Sequence, residues 1–226
     1  PATPAVLVHP PGATFTEPFL ASLNELLKPE QPLQMVQGNV NPDRVALLHA
    51  LVRQRPHLVL VCSNAGAKLL KELWSRQKPG SDAPAPPPMP QLQVVRHDDE
   101  LTLPNGDELQ VLAVPTPRWP GGLVAFLPSL GLLMSGRFFA AHLCTDNYAE
   151  ANRSSTEEDR RYFYDCLMAP MARQVEAVVN RLEELPIRSI APGYGPAIDD
   201  SWRSLLADYS RWGEAQQRSK LAVSYT

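Results

Sequence analysis

Histidine is scarce in this 226-residue sequence, and its five copies, His9, His49, His57, His97 and His142, never fall at i, i+2 or i, i+4 spacing. That excludes a zinc or iron cage built from a local motif. Cysteine is scarcer still. Cys62, Cys144 and Cys166 are odd in number, widely separated and form no CxxC pair, which excludes a disulfide framework and a zinc ribbon and points to a reducing compartment. Long apolar runs are absent: Leu58 to Cys62 and Leu123 to Leu127 are far too short to cross a bilayer, and residues 1 to 20 lack the charged-then-apolar pattern of a secretory signal. The chain therefore reads as soluble. It also lacks a basic excess, with net charge −3 and pI near 6.0, so neither nucleic acid nor a membrane surface is expected as a partner. No GxGxxG, GxxxxGK[ST] or GxSxG occurs, and Ser135 has no neighbouring histidine, which removes a nucleotide loop and a serine triad.

What is present is a 44% apolar chain with 24 prolines, enough to bury one substantial core, and residues 1 to 218 read as one domain. Ala5 to His9 is a short apolar strand closed by Pro10-Pro11-Gly12 and followed by a helix-like stretch from Glu17 to Leu27. Leu33 to Val36 and Leu58 to Cys62 repeat the strand signal. Asn41-Pro42 opens a second helix with apolar Val45, Leu48, Leu51 and Val52, and Ser63 or Asn64 opens a third running to Trp74. Three such alternations imply a parallel sheet with covering helices. Lys78 to Pro90 holds six prolines and no periodic apolar face, and reads as a semi-rigid surface insertion.

Beyond it the pattern shifts to short strands. Gln91 to Arg96 is followed by Glu100 to Leu103 and Glu108 to Val114 around the hairpin signal Asn105-Gly106, then by Leu123 to Leu127 and Leu130 to Ser135 across Pro128-Ser129. This half is expected to be antiparallel. Thr156 to Leu185 reads as helix with a capping-box-like start and a break at Ala169-Pro170. Ile187 to Ala191 is a late strand. Asp200 to Gln217 is a final helix burying Trp202, Leu205, Leu206, Tyr209 and Trp212, and Leu221 to Tyr225 reads as the start of another strand.

Four strand-to-loop junctions stand out: Asn39-Val40-Asn41-Pro42-Asp43-Arg44, Pro117-Arg118-Trp119-Pro120, Ser135-Gly136-Arg137-Phe138-Phe139 and Ala191-Pro192-Gly193-Tyr194-Gly195. With the segments Asp159 to Pro170 and Ala172 to Glu176, and the order of the elements, they resemble the metallo-β-lactamase-like domain of flavodiiron proteins, in particular the larger ones of oxygenic phototrophs. The resemblance covers essentially the whole chain. It implies an α/β (α+β) αββα sandwich whose N-terminal strands, usual in the family, have no counterpart before Ala5.

In that family the first junction reads His-x-Glu-x-Asp-His, and the later three supply a His, a bridging Asp and a His to a two-iron centre that reduces dioxygen. Position by position, the resemblance sets Asn39 at the first His, Asn41 at the Glu, Asp43 at the Asp and Arg44 at the second His. Arg118 then stands at the next His, Arg137 at the bridging Asp and Tyr194 at the last His. Only Asp43 keeps a ligand type. Guanidinium groups stay protonated and offer donors only, so they cannot ligate iron or manganese. Like charges about 4 Å apart also repel by roughly 4 kcal/mol at an effective dielectric of 20. A metal-free pocket is expected, with Arg44, Arg118 and Arg137 as candidate ligands of chloride or another small anion. His142 lies five residues past Arg137, where the family also has a histidine near the site.

The resemblance implies further that residues 219 to 226 begin a flavodoxin-like domain and that the chain is a piece of a longer protein without bound cofactor of its own. FMN, with FAD or a second FMN, belongs to the full-length protein, which passes electrons from NAD(P)H to dioxygen. Its subunits pair head to tail with a like or different flavodiiron subunit, in the cytoplasm or, in a eukaryote, the plastid stroma. The isolated domain is expected to be inactive. The alternative is a structural, interaction or hydrolase-like αββα domain, since a fold hosts many functions.

Overall fold

The computed structural model describes residues 4–76, 84–96 and 99–223, with side chains described as far as residue 218. They form two compact units, one from Pro1–Ala113 with Trp119–Leu123, the other from Val114–Arg118 with Val124–Thr226.

The first unit contains the strands β1 (Ala5–Val8), β2 (Leu33–Val36), β3 (Val59–Cys62) and β4 (Gln91–Val94), all parallel and hydrogen-bonded in that order. The helices α1 (Thr16–Leu26), α2 (Pro42–Gln54) and α3 (Asn64–Trp74) alternate with them. The helix starts follow from local chemistry. The Asn41 side chain accepts the Arg44 N–H at 2.8 Å with Pro42 in the first turn, and Ser63 Oγ accepts the Gly66 N–H at 3.1 Å. Met35, Leu48, Leu51, Leu60, Cys62 and Leu70 are completely buried in the core, and each such side chain contributes about 1.5–3 kcal/mol through removal from water.

One expectation is corrected here. The strand at Gln91 belongs to this parallel sheet, with Leu60 opposite Leu92, and is not part of an antiparallel half. The proline segment is the reason: proline offers no N–H, so its carbonyls take side-chain donors. Trp74 Nε1 donates to Pro87 O at 2.8 Å and Arg53 Nη2 to Ala85 O at 2.8 Å, returning the chain to the β3 edge. Residues 84–90 are held by these two contacts where they lead into β4; residues 77–83 of the proline-rich stretch lie outside the described residues. The unit also contains the expected hairpin of β5 (Asp99–Thr102) and β6 (Glu108–Ala113), antiparallel with Leu101 opposite Leu109. Gly106 takes φ 89° at its turn, a conformation that favours glycine.

In the second unit β7 (Leu123–Leu127) pairs antiparallel with β8 (Leu132–Gly136), and β8 pairs parallel with β9 (Ser189–Pro192). The parallel β9 corrects the expectation of a purely antiparallel half. A long helical connection makes it possible: α4 (Glu157–Phe163), a π turn at Tyr164–Met168, a 3-10 turn at Ala169–Met171 and α5 (Ala172–Glu183). The break expected at Ala169-Pro170 is there. Thr156, read as a capping-box residue, makes no cap; its hydroxyl donates to Glu150 Oε2 at 2.7 Å instead. The last helix α6 (Trp202–Val223) buries Trp202, Leu205, Leu206, Tyr209 and Trp212 as its spacing predicts. It continues through Leu221–Val223, where a strand is expected from sequence, and residues 224–226 of that reading lie outside the described residues. Straight helical propagation adds one hydrogen bond per residue, whereas a lone strand has no partner.

No described helix is long and apolar enough to cross a membrane. Cys62 is fully buried in β3, and burial, only partly offset by the Lys71 charge, pushes its thiol from 9.0 up to about 11. Cys144 and Cys166 are exposed. Iodoacetamide at pH 8 is expected to modify those two and spare Cys62 until the protein unfolds, as mass spectrometry of digests would reveal. The raised thiol also has a stability sign. Its contribution is fully present below pH 9.0 and declines as pH rises towards about 11, because the unfolded chain then binds fewer protons than the folded one. Labelling of Cys62 in native protein as fast as the exposed pair would contradict its place in the core.

Candidate functional site

The first junction lies between β2 and α2. Asn41 is spent on the helix cap. The exposed Asp43 accepts the Ala13 N–H at 3.2 Å, and Gly12 leaves it room, since a Cβ there would collide with the carboxylate. Arg44 is buried and its Nη1 donates to Pro10 O. The Asn39 carbonyl accepts from Gln37 Nε2. The side chains of Asn41, Asp43 and Arg44 are thus each engaged by a backbone group, of Arg44, Ala13 and Pro10 respectively.

Arg118, Arg137 and Tyr194 belong to the second unit. Arg118 is exposed, and its backbone N–H points at Met171 Sδ, 3.3 Å away. Arg137 follows β8 and is half-buried, with its guanidinium carbon 4.9 Å from the centroid of the Tyr194 ring. Such a cation over an aromatic face is worth about 0.5–2 kcal/mol, more as water is excluded. The structure thus joins the positions expected to hold the bridging carboxylate and the last imidazole, and fills them with a cation and a phenol. Their strands are held in step: Gly193 N–H donates to Gly136 O at 2.7 Å, and a Cβ on Gly193 would come within 2.8 Å of that oxygen.

Two residues after Arg137, Phe139 takes φ 62°, a left-handed conformation costing a bulky residue about 1–3 kcal/mol. Its N–H donates to Tyr209 Oη at 3.0 Å and its carbonyl accepts from Arg160 Nη1. Burial raises the Tyr209 phenol far above its ordinary value, so that acceptor is a neutral hydroxyl. Arg160 and Glu150 form a buried ion pair at 3.0 Å, with side chains only 2% and 4% exposed. Nothing in the sequence singles out this pair, because Arg160 sits among charged residues at a helix start and Glu150 in an irregular loop. The one available signal is the i, i+4 spacing of Thr156 and Arg160.

The described histidines lie apart in the two units. His49 packs edge-on to Trp74 with centroids 4.5 Å apart, and burial lowers its pKa. His142 packs on Phe163 at 4.8 Å, His57 is exposed, and His9 ends β1 at φ 56°. His97 lies outside the described residues. Among the described residues, no group of three or more His, Cys, Asp or Glu side chains could hold a metal ion. The donor set at the seven implied ligand positions does not fit a two-iron centre: it offers one carboxylate, two amides, one phenol and three permanent cations.

A family model described as ODP family beta lactamase matches residues 2–195. The chain belongs to that family. A flavodiiron core from Synechocystis sp., solved after metal soaking, superposes with a TM-score of 0.85 at 34% identity, covering 94% of this chain and 50% of that one. A diflavin flavoprotein A 5 fragment from Nostoc sp. gives 0.83 at 28% identity, covering 95% and 80%. Diflavin flavoprotein A 4 of Synechocystis sp. is 35% identical over 96% of this chain and 35% of its own length. The ODP domain described here therefore has the metallo-β-lactamase-like flavodiiron fold, mixed α/β with two sheets. It spans about a third of the length of the curated relatives it matches.

Proposed function

We propose that this ODP domain is the core of a flavodiiron-type oxidoreductase that, as part of a longer protein, passes electrons from NAD(P)H through flavin to dioxygen. In this reading the domain has no diiron centre of its own and binds a small anion, such as chloride, at the Arg137 junction. The observation that carries it is the half-buried Arg137 guanidinium held over Tyr194 where the resemblance implies a bridging Asp. A guanidinium carries five N–H donors in its own plane and no acceptor, which is the chemistry that suits a small anion. Arg118 is a second donor from the same unit, whereas Arg44 already serves the Pro10 carbonyl. FMN, with FAD or a second FMN, belongs to the remaining length of such a protein. A partner flavodiiron subunit, like or different, docks head to tail, in the cytoplasm or a plastid stroma.

A titration of chloride-35 line width against the protein tests the anion site. Chloride is expected to broaden in its presence, and Arg137→Gln is expected to weaken binding about tenfold, the loss of one charge-assisted partner. Unaltered line width with the parent protein, or equal affinity in Arg137→Gln, would remove the anion from the proposal.

A further inference from the structure

Arg137 and Tyr194 reach their contact from two different loops, and one side chain holds both. We propose that Arg160 is a positioning residue whose guanidinium fixes the Ser135–Phe139 and Pro192–Pro196 loops, and so decides how Arg137 is presented to an anion. Its Nη1 donates to the carbonyl of Phe139, two residues after Arg137, and its Nη2 donates at 3.3 Å to the carbonyl of Pro196, two residues after Tyr194.

The rest of the guanidinium is held still. Nε donates to Thr156 Oγ1 at 3.1 Å and Nη2 also to Glu150 Oε2 at 3.0 Å. Glu150 is itself placed by its backbone, whose N–H donates to Ala197 O at 2.9 Å beside the Ala149–Ala197 bridge. Its carboxylate also accepts from Thr156 Oγ1 and Ser201 Oγ. The anchor is therefore fixed by residues outside both loops.

One of the two loops has a reason to need an outside hold. Phe139 is left-handed at φ 62°, a conformation that a bulky residue leaves readily unless it is restrained. The Phe139 carbonyl depends on Arg160 just as its N–H depends on Tyr209. A buried ion pair is poor at raising stability, since apolar side chains of like volume serve as well or better. What an apolar pair cannot do is direct planar donors at two separate carbonyls, which is the particular geometry of arginine. Lysine would preserve the charge against Glu150 while presenting a single ammonium.

The functional consequence rests on the anion reading above, so the test measures loop geometry separately from binding. In the 226-residue protein with isotope-labelled arginine, the Arg137 side-chain resonances feel the ring current of Tyr194, and Tyr194→Leu supplies the unshifted reference. Arg160→Lys and the paired change Arg160→Met with Glu150→Met are each expected to move the Arg137 shift most of the way to that reference while circular dichroism stays that of the parent. The same variants are expected to bind chloride about tenfold more weakly. An Arg137 shift unchanged in Arg160→Lys overturns the positioning role, and the lysine variant decides the matter alone if the paired variant does not fold. A parent protein that binds no chloride overturns the anion reading instead, and the shift comparison then decides the role of Arg160 by itself.

Discussion

Iron loading followed by desalting and elemental analysis is expected to return almost no metal on the parent protein, and about two atoms per chain on a sextuple variant with the family's donor set restored. The changes are Asn39→His, Asn41→Glu, Arg44→His, Arg118→His, Arg137→Asp and Tyr194→His, with Asp43 kept. They replace three cations that have no lone pair to offer, two neutral amides and a phenol by imidazoles and carboxylates, the donors that suit iron. The effect is large because it is electrostatic in both directions: positive side chains that repel a divalent ion disappear as its ligands arrive. Some stability is lost in the exchange. Asn41→Glu weakens the cap of α2 by about 1 kcal/mol, and Arg44→His removes the bond to the Pro10 carbonyl. Near-stoichiometric iron, manganese or zinc on the parent would overturn the metal-free reading. A folded sextuple variant that stays empty would show that the register carried over from the family is wrong.

Arg160→Met alone is expected to lower stability by about 3–5 kcal/mol, because it strands the Glu150 carboxylate in the interior and orphans two backbone carbonyls. Changing Glu150→Met at the same time should recover most of that loss, since the paired variant buries no charge. Urea denaturation separates the two cases through the midpoint, which should fall by about 1–3 M for the single change at the slopes usual for proteins of this size. A single variant within about 1 kcal/mol of the parent would mean that water reaches Glu150 and that the pair is not the sealed unit described here.

Both predictions rest on residues that differ in how readily the sequence discloses them. The seven junction positions came from the resemblance alone; the local pattern contributed only the strand ends, which can be located from apolar runs closed by proline, glycine or asparagine. The three β–α alternations were equally plain, with Asn41-Pro42 and Ser63 announcing helices that begin where expected. The face of α6 followed from spacing, and Trp202, Leu205, Leu206, Tyr209 and Trp212 are indeed buried. Strand direction was less legible. Gln91–Val94 and Ser189–Pro192 both join as parallel strands, and whether a strand runs up or down depends on the connection that delivers it. For β4 that connection is organised by Trp74 and Arg53 reaching proline-segment carbonyls, contacts that no local pattern announces. The strand expected at Leu221 shows the same weakness, as an apolar run of a few residues suits either a helix end or a strand.

The sequence by itself determined the family, the alternation of strands and helices, and the chemical fact that three arginines, two asparagines and a tyrosine stand at implied iron-ligand positions. These are matters of residue type and short-range order, which a linear string records. Only the tertiary structure decided that Arg137 lies over Tyr194, that Arg44 is occupied by the Pro10 carbonyl, and that a buried Arg160–Glu150 pair holds the two loops in place. The last two depend on backbone carbonyls brought to a guanidinium from 21 to 36 residues away. Every residue has such a carbonyl, so no letter in the sequence marks the few that a guanidinium will find.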